Sequence, residues 1–415
     1  MLSFFANWSD SVTSVINYVT TEPREAVSAG KENGCDIVKK HDRGYAGMTP
    51  NPLLGVFFHW MGGLSSASFY VPFRRVEGWA WETYWMVGGI FSWIVAPLLI
   101  ASLLVNDLAA VLRETPRSTI LLCYFFGVLW GFGGLTFGLT MRYLGMSLGM
   151  AVALGYCAAF GTLMPPIVSG VFVSTILGNT SGILILIGVG ICLAGIFAAG
   201  MAGMSKEKDL SPEGRTAVIK EFDLKKGLLV ATFCGIMSAC FSYGLAAGGP
   251  VREAAARHGA APLWQGLPVL IIVMAGGFTT NLAWCVILHV RNRTARQYFQ
   301  AEDGGRRVPL LANYVLSAFA GLIWYMQFFF YTMGEVQMGR YRFSSWTLHM
   351  ASIMIFGSLW GLALKEWRGA GVRTMRLLAL SLATLVTSTL VVGYANYLST
   401  QQPVGKATSA RSRVS

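Results

Sequence analysis

Charge is what this sequence has least of. Only 13% of its 415 residues are Asp, Glu, Lys or Arg, against 54% that are hydrophobic. That inverts the balance of a water-soluble globular chain and excludes one. No Gly-x-x-x-x-Gly-Lys-[Ser/Thr] phosphate loop occurs, so the chain has no ATP motor of its own. The seven cysteines are odd in number and lack paired short spacings, which speaks against a disulfide framework and against a zinc site. They read as small packing residues. No basic segment precedes an apolar core at the N-terminus, so residues 1–47 do not resemble a cleaved signal peptide.

What is present is a series of long apolar runs. Ten qualify, at about 53–73, 84–105, 119–139, 143–167, 181–203, 227–247, 264–289, 310–333, 344–364 and 375–398. Each is long enough to cross roughly 30 Å of hydrocarbon as a helix. The expected fold is therefore an all-α integral membrane protein with ten transmembrane helices. The net charge of +12 sits in the connections: seventeen Lys and Arg fall in the odd-numbered loops and six in the even ones. The positive-inside rule then places the odd loops in the cytoplasm and both termini outside. Residues 1–47 form a leader, read either as an interfacial amphipathic helix built on Phe4, Phe5, Trp8 and Val12 or as sequence ahead of a start at Met48.

The chain repeats itself. Gly63-Leu-Ser-Ser-Ala-Ser-Phe69 matches Gly235-Ile-Met-Ser-Ala-Cys-Phe241, and Met86-Val-Gly-Gly89 matches Met274-Ala-Gly-Gly277. Gly127-Val-Leu-Trp130 answers Gly321-Leu-Ile-Trp324, and Ser147-Leu-Gly-Met-Ala151 answers Thr347-Leu-His-Met-Ala351. The separations grow from 172 to 200 residues in chain order. Five spans per copy is odd, so the second copy enters the membrane from the opposite side. The domains follow: a first five-helix repeat at 48–203, a cytoplasmic linker at 204–226, a second repeat at 227–398 and a polar tail at 399–415. Inverted repeats place a substrate site near the midplane between the halves, an arrangement that serves a secondary transporter.

Ion coupling needs a group inside the membrane that can take and lose a proton. All 20 acidic residues fall in loops or at span ends, with Asp107, Glu335 and Glu366 nearest. His59 and His349 lie inside spans, each about six residues from its start, on helices that run the same way. They are the proton-coupling candidates, with hydrogen-bonded packing or direct ligation of a sugar as the other readings of each. The lining offers neutral hydrogen-bonding groups beside aromatic faces. His59, Trp60, Ser65, Ser66, Trp130, Asn281, Trp324, Gln327 and His349 are the substrate-binding candidates, and such a lining suits a sugar. For Trp130 and Trp324 plain helix packing is the competing reading, and most hydroxyls are expected to satisfy their own helix carbonyls. Trp79, Trp81, Trp85, Trp346 and Trp367 look like interface anchors, and Pro165 and Pro166 are expected to end or kink the fourth span. Arg142 is expected at the cytoplasmic interface, with gating through Glu366 as a second role. No catalytic group, metal site or cofactor other than the proton is expected, and the chain does not read as an enzyme.

The runs FFHWMGGLSSASFYVPFRRVEGWAWETYWMVGGIFSW (57–93), GLTMRYLGMSLGM (138–150), IWYMQFFFY (323–331), SWTLHMA (345–351) and LKEW (364–367) resemble the bacterial L-rhamnose/proton symporter family, within the drug/metabolite transporter superfamily. The resemblance runs from about Met48 to Tyr397. It implies ten helices, uptake of L-rhamnose with a proton, and a multi-pass location in the bacterial inner membrane. The family's strings fall on His59 and Trp60, Thr140 through Ser147, Trp324 through Tyr331 and Leu348 through Met350. Gly244 to Pro250 departs from the family pattern in being wholly small and apolar. The expected partners are a small sugar and membrane lipid, with no nucleic acid. Efflux or exchange of a neutral metabolite is the alternative function, and a membrane protein that transports nothing is the further one.

Overall fold

A computed structural model describes residues 49–168, 170, 172–209, 223–303 and 306–401. The expected leader at 1–47, most of the linker and most of the tail lie outside the described residues. The chain begins with α1 (Pro52–Ser68), whose Asn51 side chain caps Leu54 N–H and whose first turn holds a proline, where the missing donor costs nothing. A single turn, α2 (Tyr70–Phe73), follows. Pro72 has no N–H to give the Ser68 carbonyl, so the apolar run read as one helix is interrupted at Phe69.

The remaining elements are α3 (Trp81–Leu104), α4 (Leu108–Glu114), α5 (Arg117–Leu144), α6 (Met146–Val168), α7 (Thr180–Asp209), α8 (Leu224–Ala247) and α9 (Gly249–Arg257). After them come α10 (Leu267–Asn292), α11 (Leu310–Gln337), α12 (Ser345–Ala363) and α13 (Val372–Gln401). α3 contains a π-helical stretch at Phe91–Val95, the one-residue widening that inserts an extra side chain into a turn. Two short strands, β1 (Glu302–Asp303) and β2 (Arg306–Arg307), pair antiparallel in the connection before α11. Among the described residues nine helices are long and apolar enough to cross a membrane. Leu103, Leu121, Phe197, Val290, Leu311 and Leu390 stand exposed on them, and Leu53 and Phe57 on α1, as a hydrocarbon solvent allows. The protein is a multi-pass helical membrane protein.

The helices pack in a definite pattern. α1 lies against α11 and α12, α8 against α5 and α6, α3 against α11, α10 against α5, and α7 against α13. Several crossings are backbone on backbone. A Cβ on Gly321 would fall on the Gly88 carbonyl, and one on Gly276 would fall on that of Tyr124. Small residues permit such approach and gain dispersion contact that larger ones would prevent.

Successive connections gather at alternate ends of the bundle. At one end Asn51 N–H donates to Gln337 Oε1 at 2.8 Å, Tyr341 Oη donates to Asn179 Oδ1 at 2.6 Å, and His258 meets Glu114 at 2.9 Å. At the other, Ser147 Oγ donates to Glu207 at 2.9 Å and Ala80 N–H donates to Gln297 at 2.8 Å. There too the buried Glu82 accepts from Asn292 Nδ2 at 2.9 Å and Thr294 Oγ1 at 2.7 Å, fastening α3 to the end of α10. Glu366 faces Arg74 at 3.6 Å on the surface of this end.

Two readings of the sequence change here. α11 continues to Gln337, past the expected end of its apolar run at 333, so Glu335 lies in the last turn of the helix and is buried. Trp346 and Trp79, expected at the lipid interface, are only 3% and 8% exposed. Trp79 packs between Tyr298 and Tyr314, and the Trp346 indole N–H donates to the Cys157 carbonyl at 3.0 Å.

Candidate functional site

One face of α11 organises the interior. Trp324, Phe328, Tyr331 and Glu335 are spaced four, three and four residues apart and so lie along one stripe of a 3.6-residue helix. At mid-length the Trp324 indole stacks on Trp130 of α5, ring centroids 5.6 Å apart and planes 28° apart. Phe69 stands edge-on to Trp324 at 6.2 Å, and Phe241 stands 4.8 Å from Trp130. A narrow cleft beside this stack, with room for little more than a water molecule, has Phe69, Trp85, Ser92, Trp93 and Trp324 in its wall.

One to two turns along the same stripe are the two intramembrane histidines. His59 of α1 and His349 of α12 are both 0% exposed, and their ring centroids are 6.5 Å apart. Tyr331 packs edge-on to both at 5.3 Å, and Trp346 and Phe328 close the group at 6.1 and 6.2 Å from His349. Glycines make the room. A Cβ on Gly334 would sit 2.8 Å from two atoms of the His59 ring, and one on Gly62 would sit 2.9 Å from the Gln327 carbonyl and 3.4 Å from His349. The Ser352 hydroxyl lies 2.8 Å from the backbone carbonyls of both His59 and His349, pinning α1 to α12 at this level. Neither ring nitrogen of either histidine has a hydrogen-bond partner among the described residues. Four buried imidazole nitrogens without partners are costly unless something they can bind or exchange with, a proton or a polar ligand, visits them.

The other expected site residues divide. Trp130 and Trp324 meet, as just described. Asn281 is buried but occupied: its Oδ1 accepts from Trp85 Nε1 at 3.1 Å and its Nδ2 donates to the Gly277 carbonyl at 2.9 Å, joining α10 to α3. Gln327 is 4% exposed and its side-chain amide has no partner among the described residues. Ser65 donates to its own helix at the Met61 carbonyl, 3.0 Å away. Ser66 is half-buried, and Trp60 meets Phe356 edge-on at 6.0 Å, outside the group of rings around the histidines.

Four residues that bear on the site were not among the expected site residues: Tyr331 was read only within a family string, Glu335 only as an acid near a span end, Trp346 as an interface anchor, and Arg252 not at all; Arg252 and Glu335 form a buried ion pair at 2.9 Å, 6% and 9% exposed. The signal for Tyr331 and Glu335 was the spacing of the α11 stripe from Trp324 onward, which for Glu335 the apolar run's expected end at 333 cut short.

A helical membrane bundle with an aromatic and imidazole interior between paired helices defines a multi-pass membrane protein of the transporter type. The chain belongs to the L-rhamnose-proton symport protein (RhaT) family, whose model it matches over residues 48–397. It is 40% identical over 343 residues to the L-rhamnose-proton symporters of Salmonella gallinarum and Salmonella newport, an alignment covering 82% of this chain and 97% of each relative.

Proposed function

We propose that this protein carries L-rhamnose, or a closely similar neutral deoxy sugar, inward across the bacterial inner membrane together with a proton. It does so by alternating access between two inverted five-helix halves, α1 to α7 and α8 to α13, with α1 and α2 together as the tenth crossing. The observation that carries the reading is the pair of fully buried histidines, brought together from two distant helices with all four ring nitrogens unpartnered. Family membership supports the substrate and the coupling ion.

The packing pattern supports the repeat. Exchanging each helix for its counterpart turns α1 against α11 into α8 against α5, α1 against α12 into α8 against α6, and α3 against α11 into α10 against α5, all contacts that occur. The Gly88 and Gly321 approach likewise exchanges with that of Gly276 and Gly127. The alternation of connections between the two ends accords with ten crossings. With the termini outside, His59 is seven residues into α1, about 10 Å below the outer end at 1.5 Å per residue. Imidazole titrates near pH 6.5 in water, which suits exchange with an acidic exterior. The stacked indoles offer the flat face on which the C–H side of a pyranose packs, and Gln327 offers an unclaimed amide for its hydroxyls.

The test is uptake of radiolabelled L-rhamnose into proteoliposomes under an imposed pH gradient, with external alkalinisation followed in parallel, for the wild type, His59→Ala and His349→Ala. Uptake with protons is expected, and the histidine whose loss permits exchange but abolishes accumulation is the coupling residue. Entry of another neutral sugar but not L-rhamnose removes the substrate assignment, and movement of no sugar removes the carrier reading.

A further inference from the structure

Trp93 brings an unclaimed hydrogen-bond donor to the middle of the bundle. It stands halfway along α3, inside the π-helical stretch Phe91–Val95, and is 4% exposed. Its indole meets Trp324 nearly at a right angle at 5.5 Å, Trp85 at 6.0 Å and Phe278 at 6.3 Å, so it borders the stack of Trp324 on Trp130. None of these rings offers an oxygen, and the buried Nε1–H has no acceptor among the described residues. Its direction follows from Gly89. A Cβ there would sit 2.6 and 2.8 Å from Cζ3 and Cε3 of Trp93, so that edge of the indole lies on its own helix. The N–H edge, across the ring, is turned away from Gly89.

Two other indole N–H groups, those of Trp60 and Trp79, also lack partners. Trp60 lies against Phe356 and Trp79 between two tyrosines, neither of them in the wall of the cleft beside the stack, whereas Trp93 is in it. Trp85, in the same wall, gives the contrast: its N–H is taken by Asn281 Oδ1 at 3.1 Å. Met86 and Met274 head matching motifs, and Trp93 and Asn281 each follow seven residues on, so the two hold the same register in the two matching segments. α10 passes Asn281 as a continuous α-helix. Of these two helices, only the one that carries the unpaired donor has the widened turn, a device that recurs at functional sites.

We propose that Trp93 Nε1–H donates to one ring hydroxyl of the sugar and so selects for it. The proposal deepens the symport reading and rests on it. An indole N–H donates but cannot accept, so its partner must bring a lone pair, as a hydroxyl oxygen does. The cleft matches that size, and Ser92 in its wall holds its hydroxyl 3.5 Å from the Gly89 carbonyl, a long bond that can be exchanged for a shorter one to the same sugar oxygen. A buried donor is costly until it is paired, and a sugar without the hydroxyl leaves it unpaired at the moment of binding. The stacked indoles hold a pyranose by its C–H face whatever its substituents; Trp93 reads one of them.

The test compares the wild type with a protein in which benzothienylalanine replaces Trp93, keeping both rings and putting sulfur where the N–H was; Trp93→Phe is the second variant. Counterflow of radiolabelled L-rhamnose in proteoliposomes is competed with analogues that each lack one ring hydroxyl. The KM for L-rhamnose is expected to rise about 10-fold in either variant, the worth of one neutral hydrogen bond. In the wild type one analogue is expected to compete about 10-fold more weakly than L-rhamnose, and in the variants the two compete equally while the ratios for the other analogues are kept. Lost packing would instead weaken every sugar in proportion, and that outcome, like an unaltered KM, overturns the proposal. The indole N–H magnetic resonance that is missing from the benzothiophene protein is then followed in the wild type, where L-rhamnose is expected to move it downfield. A resonance that L-rhamnose does not move leaves the N–H to the faces of its neighbouring rings and likewise overturns the proposal. A wild type that moves no L-rhamnose overturns the symport reading and this one together, whereas normal counterflow with unaltered ratios overturns this one alone.

Discussion

Trp130 and Trp324 lie on each other near the middle of the bundle, centroids 5.6 Å apart, one from each of two chain segments that match in sequence. Each also touches the phenylalanine that ends a matching motif, Phe241 for Trp130 and Phe69 for Trp324. A stack of this kind can be parted and re-formed from either side, and in the proposed carrier it would serve as a platform for a flat apolar sugar face as well as a seam.

Trimming the platform is expected to act on sugar binding. Trp324→Phe and Trp130→Phe keep a ring but lose area, and the KM for L-rhamnose counterflow is predicted to rise by about 3- to 10-fold, the equivalent of roughly 0.5–1.5 kcal/mol of aromatic contact. An unchanged KM in both variants, measured from the concentration dependence of counterflow, removes the indoles from the sugar site.

The glycine crossings make a paired prediction. Gly321→Ala and Gly276→Ala each drive a methyl group into a carbonyl of the neighbouring helix, at an expected cost of about 1–3 kcal/mol apiece. Gly134→Ala, Gly155→Ala and Gly190→Ala meet nothing within 4 Å and are expected to be neutral or to gain up to about 1 kcal/mol from helix propensity. Thermal stability in detergent, scored by fluorescence-detected size exclusion, separates the two groups.

Asn281 is expected to matter structurally. Asn281→Ala leaves the half-buried Trp85 indole N–H without its acceptor, and a loss of about 1 kcal/mol is expected, with Asn281→Asp retaining the acceptor. If Asn281→Ala instead raises the KM for sugar without altering the melting temperature, the amide belongs to the substrate.

Glu114 provides a pH control outside the membrane-spanning helices. Its hydrogen bond from His258 first, and then the neighbouring Arg257, hold its carboxyl below the ordinary value. A depressed folded-state pKa contributes stability that is present above the unfolded value of about 4.3 and is lost as the pH falls through the folded one. The docking of α9 on α4 is therefore expected to weaken only in acid below about pH 4. Glu114→Gln is predicted to leave the pH profile of L-rhamnose counterflow between about pH 5 and pH 8 unaltered. A displaced profile would assign the transport titration to this surface contact.

Much of the fold was legible because hydrocarbon demands it: uninterrupted apolar runs mark helices, and few alternatives exist for a backbone without water. His59 and His349 were legible as a pair because both lie at one depth on helices running the same way. Where the reading failed, the cause is local. Pro72 looked like an ordinary residue near the end of a run, yet its absent N–H ends α1 at Ser68. Trp346 resembles an interface anchor because an indole near a helix end has the same sequence signature whether it faces headgroups or a neighbouring carbonyl. Glu335 was legible as an acid near a span end but its burial was not, because only its partner, on a helix after α8 that no apolar run announces, makes burial tolerable. Arg252 had no signal in the sequence at all, since nothing in the spacing of 252 and 335 ties them together.

Where Gly88 meets Gly321 and Gly127 meets Gly276, the peptide backbone of one helix rests against that of the other. Such surfaces behave as bearings: they resist compression, because peptide groups are already touching, but offer no teeth against turning. Each bearing joins a helix of one half of the chain to a helix of the other, Gly88 to Gly321 and Gly127 to Gly276. In the proposed carrier, a mutation there need not touch sugar or proton to stop transport, because it would jam a backbone crossing between the two halves.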